Sequence, residues 1–228
     1  MNKHNIMKFK LIITCLIASL VLWNCKQEPK TPEVDYKYAN NNELKDCKSK
    51  DSLLLNEALM SFEKDLINAY DPKTQSPNRS YVRFLSDVRV NKVNYIAITS
   101  KHTKELFEAL KSKSDLWNTK EGDYTLNYAN PLVACIASNM QEGDLKITFN
   151  ALVDTNSMSY RMYSEELRRN TISITKDKYL ALFVALDLYY AKLFGVDFNK
   201  QPEANIDFNK KPVKKEIESK DSHEGHNH

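Results

Sequence analysis

The sequence predicts an all-α domain of about six helices arranged as a single bundle. Between residues 51 and 198 apolar side chains recur at steps of three and four, which is the period of a helix with one buried face. Only residues 90–99 have the pattern of a strand, and one strand cannot form a sheet. A stretch of this length is the usual size of one domain.

The first helix carries Leu55, Leu59 and Leu66 on one face and stops at Asp71. Further helices are predicted over residues 78–88, 100–111, 131–140, 144–153 and 158–169. The last helix, residues 175–194, is apolar nearly all round, so we place it at the centre of the bundle.

The N-terminus has the charge and hydropathy pattern of an export signal. Lys3, Lys8 and Lys10 precede an uncharged, largely apolar run from Leu11 to Trp23. At about 1.5 Å per helical residue this run is too short to cross a hydrocarbon core of about 30 Å. We therefore predict a cleaved signal peptide, residues 1–24, in place of a permanent transmembrane helix.

The apolar run ends in Leu22-Trp23-Asn24-Cys25. This segment resembles the lipobox of bacterial lipoproteins, in the relaxed form found in Bacteroidota, although Trp23 and Asn24 stand where that family has small residues. The resemblance covers only the first 25 or so residues, and no family is recognised for the folded domain. It implies that Cys25 is acylated and anchors the protein in a membrane. Because Lys26 follows the cysteine, we expect the outer membrane, with the periplasmic or surface-facing side left open.

Two polar segments flank the predicted domain. Residues 25–50 contain Pro29 and Pro32 and are predicted to be a lipidated tether, and residues 199–228 are predicted to be a disordered polar tail. The signal peptide takes 3 of the 33 basic residues and none of the 30 acidic ones. The mature chain is therefore formally neutral, and we expect no nucleic-acid partner.

Cys47 and Cys135 remain once Cys15 has left with the signal and Cys25 has been acylated. In an oxidising compartment these two thiols would form one disulfide. The alternative is that Cys135 is a small buried core residue with a free thiol.

Sequence motifs of the common catalytic sites are missing. The 4 glycines are isolated from one another, which excludes a phosphate-binding loop and a Gly-x-Ser-x-Gly elbow. The predicted domain has a single histidine, His102, which a Ser-His-Asp mechanism would have to use as its base. The ordinary interpretation of His102 is a surface residue near a helix end. An enzyme is therefore the less favoured interpretation of this chain.

Three further features have both a functional and an ordinary interpretation. Asp187 lies within the apolar last helix, where its carboxylate is either desolvated and functional or simply hydrogen-bonded. The charged run 165–169 would recognise a charged ligand or form ion pairs on a solvated face. Tyr179, Tyr189 and Tyr190 would line a binding groove or belong to the core, and their helical spacing favours the core.

His223, His226 and His228 lie within six residues at the C-terminus. Imidazole binds Zn²⁺, Cu²⁺ and Ni²⁺, so a weak metal site is one interpretation and a merely polar end is the other. We therefore expect a membrane-anchored cell-envelope lipoprotein with a non-enzymatic helical domain that binds an envelope protein, peptide or lipid or has a structural role. The alternatives are an envelope metal-handling protein that uses these histidines and an unrecognised hydrolase.

Overall fold

A computed structural model describes residues 34–38, 43, 44, 47 and 51–200 of the chain. Over these residues the fold is all-α, as the sequence predicts, with nine helices and one short β-hairpin. Within the same residues, every helix is too short or too polar to cross a membrane. The expected signal peptide, Cys25 and the three C-terminal histidines lie outside the described residues.

The helices follow one another with short connections. They are α1 (Ser52–Tyr70), α2 (Pro77–Arg89), α3 (Tyr95–Ile98), α4 (Lys101–Lys111), α5 (Pro131–Asn139), α6 (Asp144–Asp154), α7 (Tyr160–Arg169), α8 (Thr171–Lys176) and α9 (residues 178–193). The middle of α9 is a π-helical turn, Ala185–Tyr190. Between α4 and α5 a 3₁₀ turn, Ser114–Leu116, leads into the strands β1 (Trp117–Lys120) and β2 (Asp123–Leu126).

Residues 90–99 have the sequence pattern of a strand, but they form no strand in the structure. Asn94 caps a short helix there, since its side chain accepts a hydrogen bond from the Ala97 amide at 3.1 Å. The antiparallel hairpin lies further along and pairs Trp117 with Leu126. Its two turn residues, Glu121 and Gly122, have φ values of +54° and +89°, the left-handed conformation that tight hairpin turns require.

Over the described residues there are nine helices, two more than the seven helical segments that the sequence predicts, for two local reasons. The short helix α3 lies in the segment that has the strand pattern. Asp177 also interrupts the long segment predicted over residues 175–194, because its carboxylate accepts hydrogen bonds from the amides of Tyr179 and Leu180 at 3.0 and 3.1 Å. It thereby caps α9 and separates it from α8.

Helix α9 lies at the centre of the domain, as its apolar sequence predicts. Every residue from 179 to 191 is buried, and the helix packs against α1, α5, α8 and strand β2. Around its middle, the rings of Phe62, Tyr81, Phe84 and Tyr189 contact one another at centroid distances of 5.1 to 6.4 Å. This aromatic cluster joins α1, α2 and α9 into one core.

The packed part of the chain extends to the N-terminal side of residue 51. Residues 34–38, 43, 44 and 47 lie against the domain, and we call them the N-terminal strap. Leu44 and Cys47 are buried in the core cluster. The strap therefore belongs to the folded body, although it falls in the segment that the sequence predicts to be a tether.

Candidate functional site

A buried polar network lies where the N-terminal strap contacts α1. Glu57 of α1 is fully buried, with 0% of its surface exposed. Its two carboxylate oxygens accept hydrogen bonds from the backbone amides of Lys37 and Tyr38, both at 2.7 Å. A buried carboxylate needs such donors because leaving water is costly. We call this arrangement the strap clamp.

Asn56 adds two more contacts to the strap. Its side-chain oxygen accepts from the Glu43 amide at 3.1 Å, and its side-chain nitrogen donates to the Tyr38 carbonyl at 3.4 Å. Two adjacent residues of α1 therefore position four polar backbone atoms of the strap.

His102 also reaches the strap clamp. Its Nε2 atom lies 2.7 Å from Glu57 Oε1, and only 7% of the residue is exposed. The expectation of a surface histidine is therefore wrong, because the first turn of α4 packs against α1 and the Glu57 carboxylate binds the ring. Its Nδ1 atom is buried without a hydrogen-bond partner among the described residues and lies 3.8 Å from a Glu105 carboxylate oxygen.

A second buried network lies two turns further along α1. Asp65 Oδ2 accepts hydrogen bonds from the Ser100 amide at 3.1 Å, the Thr103 hydroxyl at 2.6 Å and the Tyr189 hydroxyl at 2.9 Å. Ser61 shares a hydrogen bond of 2.6 Å with Thr103. This network fixes the N-terminus of α4 between α1 and α9.

The two networks do not combine into a Ser-His-Asp arrangement. The hydroxyls of Ser61 and Thr103 share a hydrogen bond, and Thr103 donates to Asp65, whereas His102 is bonded to Glu57. Each carboxylate is used to join segments of the fold. The geometry therefore supports a structural role for these groups more directly than nucleophilic catalysis.

Asp187 lies in the π-helical turn of α9 and is 4% exposed. Its Oδ1 atom accepts hydrogen bonds from the Tyr128 hydroxyl at 2.9 Å and the Leu126 amide at 3.3 Å. Burial raises the pKa of Asp187, and these two hydrogen bonds partly offset the effect. The carboxylate is desolvated and hydrogen-bonded at once, and it ties the end of the hairpin to the central helix.

Other residues of the π-helical turn also form hydrogen bonds to neighbouring helices. The Leu188 carbonyl accepts from the Tyr95 hydroxyl at 2.9 Å, and the Tyr190 hydroxyl donates to the Ala58 carbonyl at 3.0 Å. Burial raises the pKa of Tyr189 and of Tyr190, which keeps both phenols neutral. Together with buried Tyr179, they belong to the core, as their spacing suggests. π-Helical turns are frequent at functional sites, but the polar groups named here form hydrogen bonds within the protein.

The structure joins Cys47 to Cys135 by a disulfide with a Cα–Cα distance of 5.8 Å and a sequence separation of 88. Both cysteines line a half-open cavity of about 350 Å³ between α1, α4 and α5. The cavity has mainly leucine walls, and Lys113 forms an ion pair of 2.6 Å with Asp51 at its edge. The bond attaches the strap to α5.

A second concave surface has a volume of about 930 Å³. It is lined by the end of α1, by residues 91–98 and by the chain after α9. Tyr70 closes one side of it by donating a hydrogen bond of 3.0 Å to Asp87.

Three large apolar side chains are exposed on three consecutive helices, α6, α7 and α8. Ile147 on α6 is 65% exposed, Met162 on α7 is 59% exposed and Ile172 on α8 is 57% exposed. Helix α7 packs against both α6 and α8. We call these three residues the exposed apolar set.

The remaining sequence-predicted features have ordinary surroundings. In the charged run, Glu165 pairs with Arg168 at 2.9 Å and Glu166 with Arg169 at 3.7 Å, within one exposed helix face. Among the described residues there is no cluster of three or more metal-ligating side chains.

Sequence reasoning missed the strap clamp and the Asp65 network. One signal was available: Glu57, Ser61 and Asp65 are spaced by four, so they form a polar stripe beside the apolar face of α1. A stripe of that kind at the edge of a buried face indicates an internal polar network. What the sequence cannot show is that the strap and α4 supply its partners.

No protein-family model matches this chain, and comparisons with curated proteins and with solved structures found no match.

Proposed function

We propose that this protein is a lipid-anchored lipoprotein of the bacterial cell envelope, whose helical domain binds an envelope partner and performs no catalysis of its own. The anchor in this proposal is Cys25, after removal of residues 1–24, and the location is the outer membrane. The partner is an envelope protein, a peptide or a lipid.

The observation that carries the proposal is the disulfide between two of the cysteines. The chain has 4 of them, and the two beyond the lipobox-like segment are paired with each other in the structure. Disulfides form and persist in exported proteins and are rare in reducing compartments. The disulfide therefore supports the same compartment that the export signal indicates.

The strap supports a tethered arrangement. It is attached to the domain by the strap clamp, by buried Leu44 and by the disulfide, which together fix the point where the chain approaches from the N-terminal side. A domain that is tethered at one end benefits from a fixed attachment point, because it then presents one face consistently to a partner.

The exposed apolar set supports a binding role. Single exposed apolar residues are common, but these three large ones lie on three helices of which the middle one packs against the other two, and a partner that binds there would cover them. By contrast, the acidic and hydroxyl groups of the two buried networks are engaged in hydrogen bonds that join helices.

The binding proposal can be tested with the lipidated protein, recovered by affinity from its own envelope after mild crosslinking. We expect a stoichiometric protein or lipid partner that is lost when Ile147, Met162 and Ile172 are all changed to serine. Leu53→Ser is the matched control, because Leu53 is 42% exposed but lies at the start of α1, which packs against other elements. Recovery of no partner would refute the binding role. Recovery of the same partner with the triple variant would refute the assignment of binding to the exposed apolar set.

A second proposal is metal handling by the C-terminal histidines, and it rests on the sequence alone. Three of the 5 histidines are concentrated in the last six residues. Binding by such a segment should be weak, and it should fade below about pH 6.5 because protonated imidazole cannot coordinate a metal. Calorimetric titration with zinc, copper and nickel should show uptake that a protein truncated after Lys220 lacks. Equal uptake by both proteins would exclude the histidines as the site.

A further inference from the structure

The disulfide lies on the wall of a cavity that is open to solvent. Cys47 and Cys135 both line this space of about 350 Å³. Cys47 is buried, whereas Cys135 is only partly buried. A small thiolate that enters the cavity therefore meets a wall to which Cys135 contributes partly exposed surface.

The side chain of Asn139 is directed at this disulfide. Its nitrogen lies 3.4 Å from Cys135 Sγ and 3.9 Å from Cys47 Sγ, and it also donates to the Cys135 carbonyl at 2.9 Å. A neutral disulfide gains little from an amide donor, but a thiolate gains more, because hydrogen bonds to a charged group are stronger. Thiolate stabilisation speeds the departure of the leaving sulfur in thiol–disulfide exchange. When Cys135 Sγ is attacked the leaving sulfur is Cys47 Sγ, and the Asn139 nitrogen is within hydrogen-bonding reach of it at 3.9 Å.

Opening of this bond would act on the strap. Cys47 is the last described residue of the strap, and the bond is its covalent link to α5. Without the bond, the strap depends on buried Leu44 and on its hydrogen bonds to Asn56 and Glu57. The cavity wall would lose its covalent closure at the same time.

We propose that the Cys47–Cys135 disulfide is a redox-reactive site, opened in the folded protein by a small dithiol reductant that enters the cavity. One thiolate of the reductant attacks Cys135 Sγ, the sulfur–sulfur bond breaks, and its electron pair leaves on Cys47 Sγ, which takes a proton from water. The second thiol of the reductant loses its proton to water, attacks the reductant sulfur of the mixed disulfide and releases Cys135 as a thiolate, which takes a proton from water. The protein gains two electrons and two protons, and the reductant becomes a disulfide.

The test is native-state reduction of the full chain with Cys15 and Cys25 changed to serine, so that only these two thiols are counted. Dithiothreitol is the probe, and iodoacetamide labelling with mass spectrometry is the readout. We expect both cysteines to be labelled while the helical circular dichroism is unchanged. The rate should rise in proportion to the dithiothreitol concentration and exceed the independently measured unfolding rate at least about tenfold. A rate that is independent of dithiothreitol and equal to the unfolding rate would overturn the proposal.

The role of Asn139 and the point of attack can be tested separately. Asn139→Ala should slow reduction by about threefold to tenfold, the factor expected for loss of one hydrogen bond of about 1 kcal/mol. Ser138→Ala is the matched control, because its hydroxyl donates to the Ala134 carbonyl at 2.8 Å. In single-cysteine variants, an aromatic disulfide reagent should react faster with Cys135 than with Cys47. If the Asn139→Ala protein is reduced at the wild-type rate, Asn139 has no part in the reaction. If Cys47 reacts faster than Cys135, the proposed direction of attack is contradicted.

Discussion

Asp187 combines burial with two hydrogen bonds, and its ionisation therefore affects stability. Burial raises the pKa of this carboxyl, so the folded state favours the protonated form more than the unfolded state does. Its contribution to the free energy of unfolding is thus fully present below the ordinary pKa of aspartate. It is lost as the pH rises through the folded-state pKa.

The substitution Asp187→Asn tests this sign. Asparagine keeps an oxygen that accepts from the Leu126 amide and the Tyr128 hydroxyl, but it carries no charge. We expect its stability relative to wild type to be higher at pH 7 than at about pH 4, as measured by urea unfolding at both values. A constant difference across that range would show that Asp187 is not desolvated.

Asp187→Ala provides the companion measurement. Alanine leaves the buried Leu126 amide and the Tyr128 hydroxyl without their acceptor, which should cost about 1 to 3 kcal/mol at either pH. An alanine variant as stable as the asparagine variant would mean that these hydrogen bonds contribute little.

At the scale of elements, the strap is attached mainly through polar contacts to α1. Glu57 has three hydrogen-bonding partners, namely two strap amides and His102. Glu57→Gln leaves one accepting oxygen and introduces an amide donor that opposes the donors already present. At least one strap amide then loses its acceptor.

We therefore expect Glu57→Gln to increase the hydrogen-exchange rates of the Lys37 and Tyr38 amides by about tenfold or more, since 1.4 kcal/mol corresponds to a factor of ten. Glu105→Gln is the matched control, because Glu105 lies 3.8 Å from His102 and is 45% exposed at its side chain. Unchanged exchange in the Glu57 variant would show that the clamp does not hold the strap.

Local sequence signals explain most of the helical elements. Capping residues such as Asn130 and Ser100 lie where the sequence places a helix start, and they accept hydrogen bonds from Leu132 and Thr103. The hairpin was missed because Glu121-Gly122 is a weaker turn signal than Asn-Gly. Despite the strand pattern of residues 90–99, residues 95–98 form a helical turn, where Tyr95 reaches the π-helical turn of α9.

The candidate site was much harder to predict than the fold. Asp187 could be singled out because a charge within an apolar helix is visible in one segment. The strap clamp depends on contacts between residues about 20 apart and 45 apart, as in Lys37 with Glu57 and Glu57 with His102. One sequence contains no signal that pairs such residues, since many acids share the same local pattern.

For the whole molecule, the disulfide is the covalent cross-link between the N-terminal strap and α5. It closes a loop with a separation of 88 residues, and such a bond typically stabilises by about 2 to 4 kcal/mol. We expect Cys47→Ala, Cys135→Ala and the double variant to lose similar amounts in urea unfolding, because either change removes the same bond. If the two single variants lose only small amounts of unfolding free energy and these losses add in the double variant, the disulfide does not stabilise the fold as a cross-link.

The most direct test of the proposed lipid anchor is intact mass spectrometry and detergent phase partition of the protein isolated from the membrane fraction of a bacterium that expresses it. Our account predicts a chain that begins at Cys25, carries acyl chains on that residue, has Cys47 joined to Cys135 and partitions into the detergent phase. Cys25→Ser should lack the acyl mass and move to the aqueous phase. A mature chain without acylation, or a Cys25→Ser protein that stays in the detergent phase, would contradict the account.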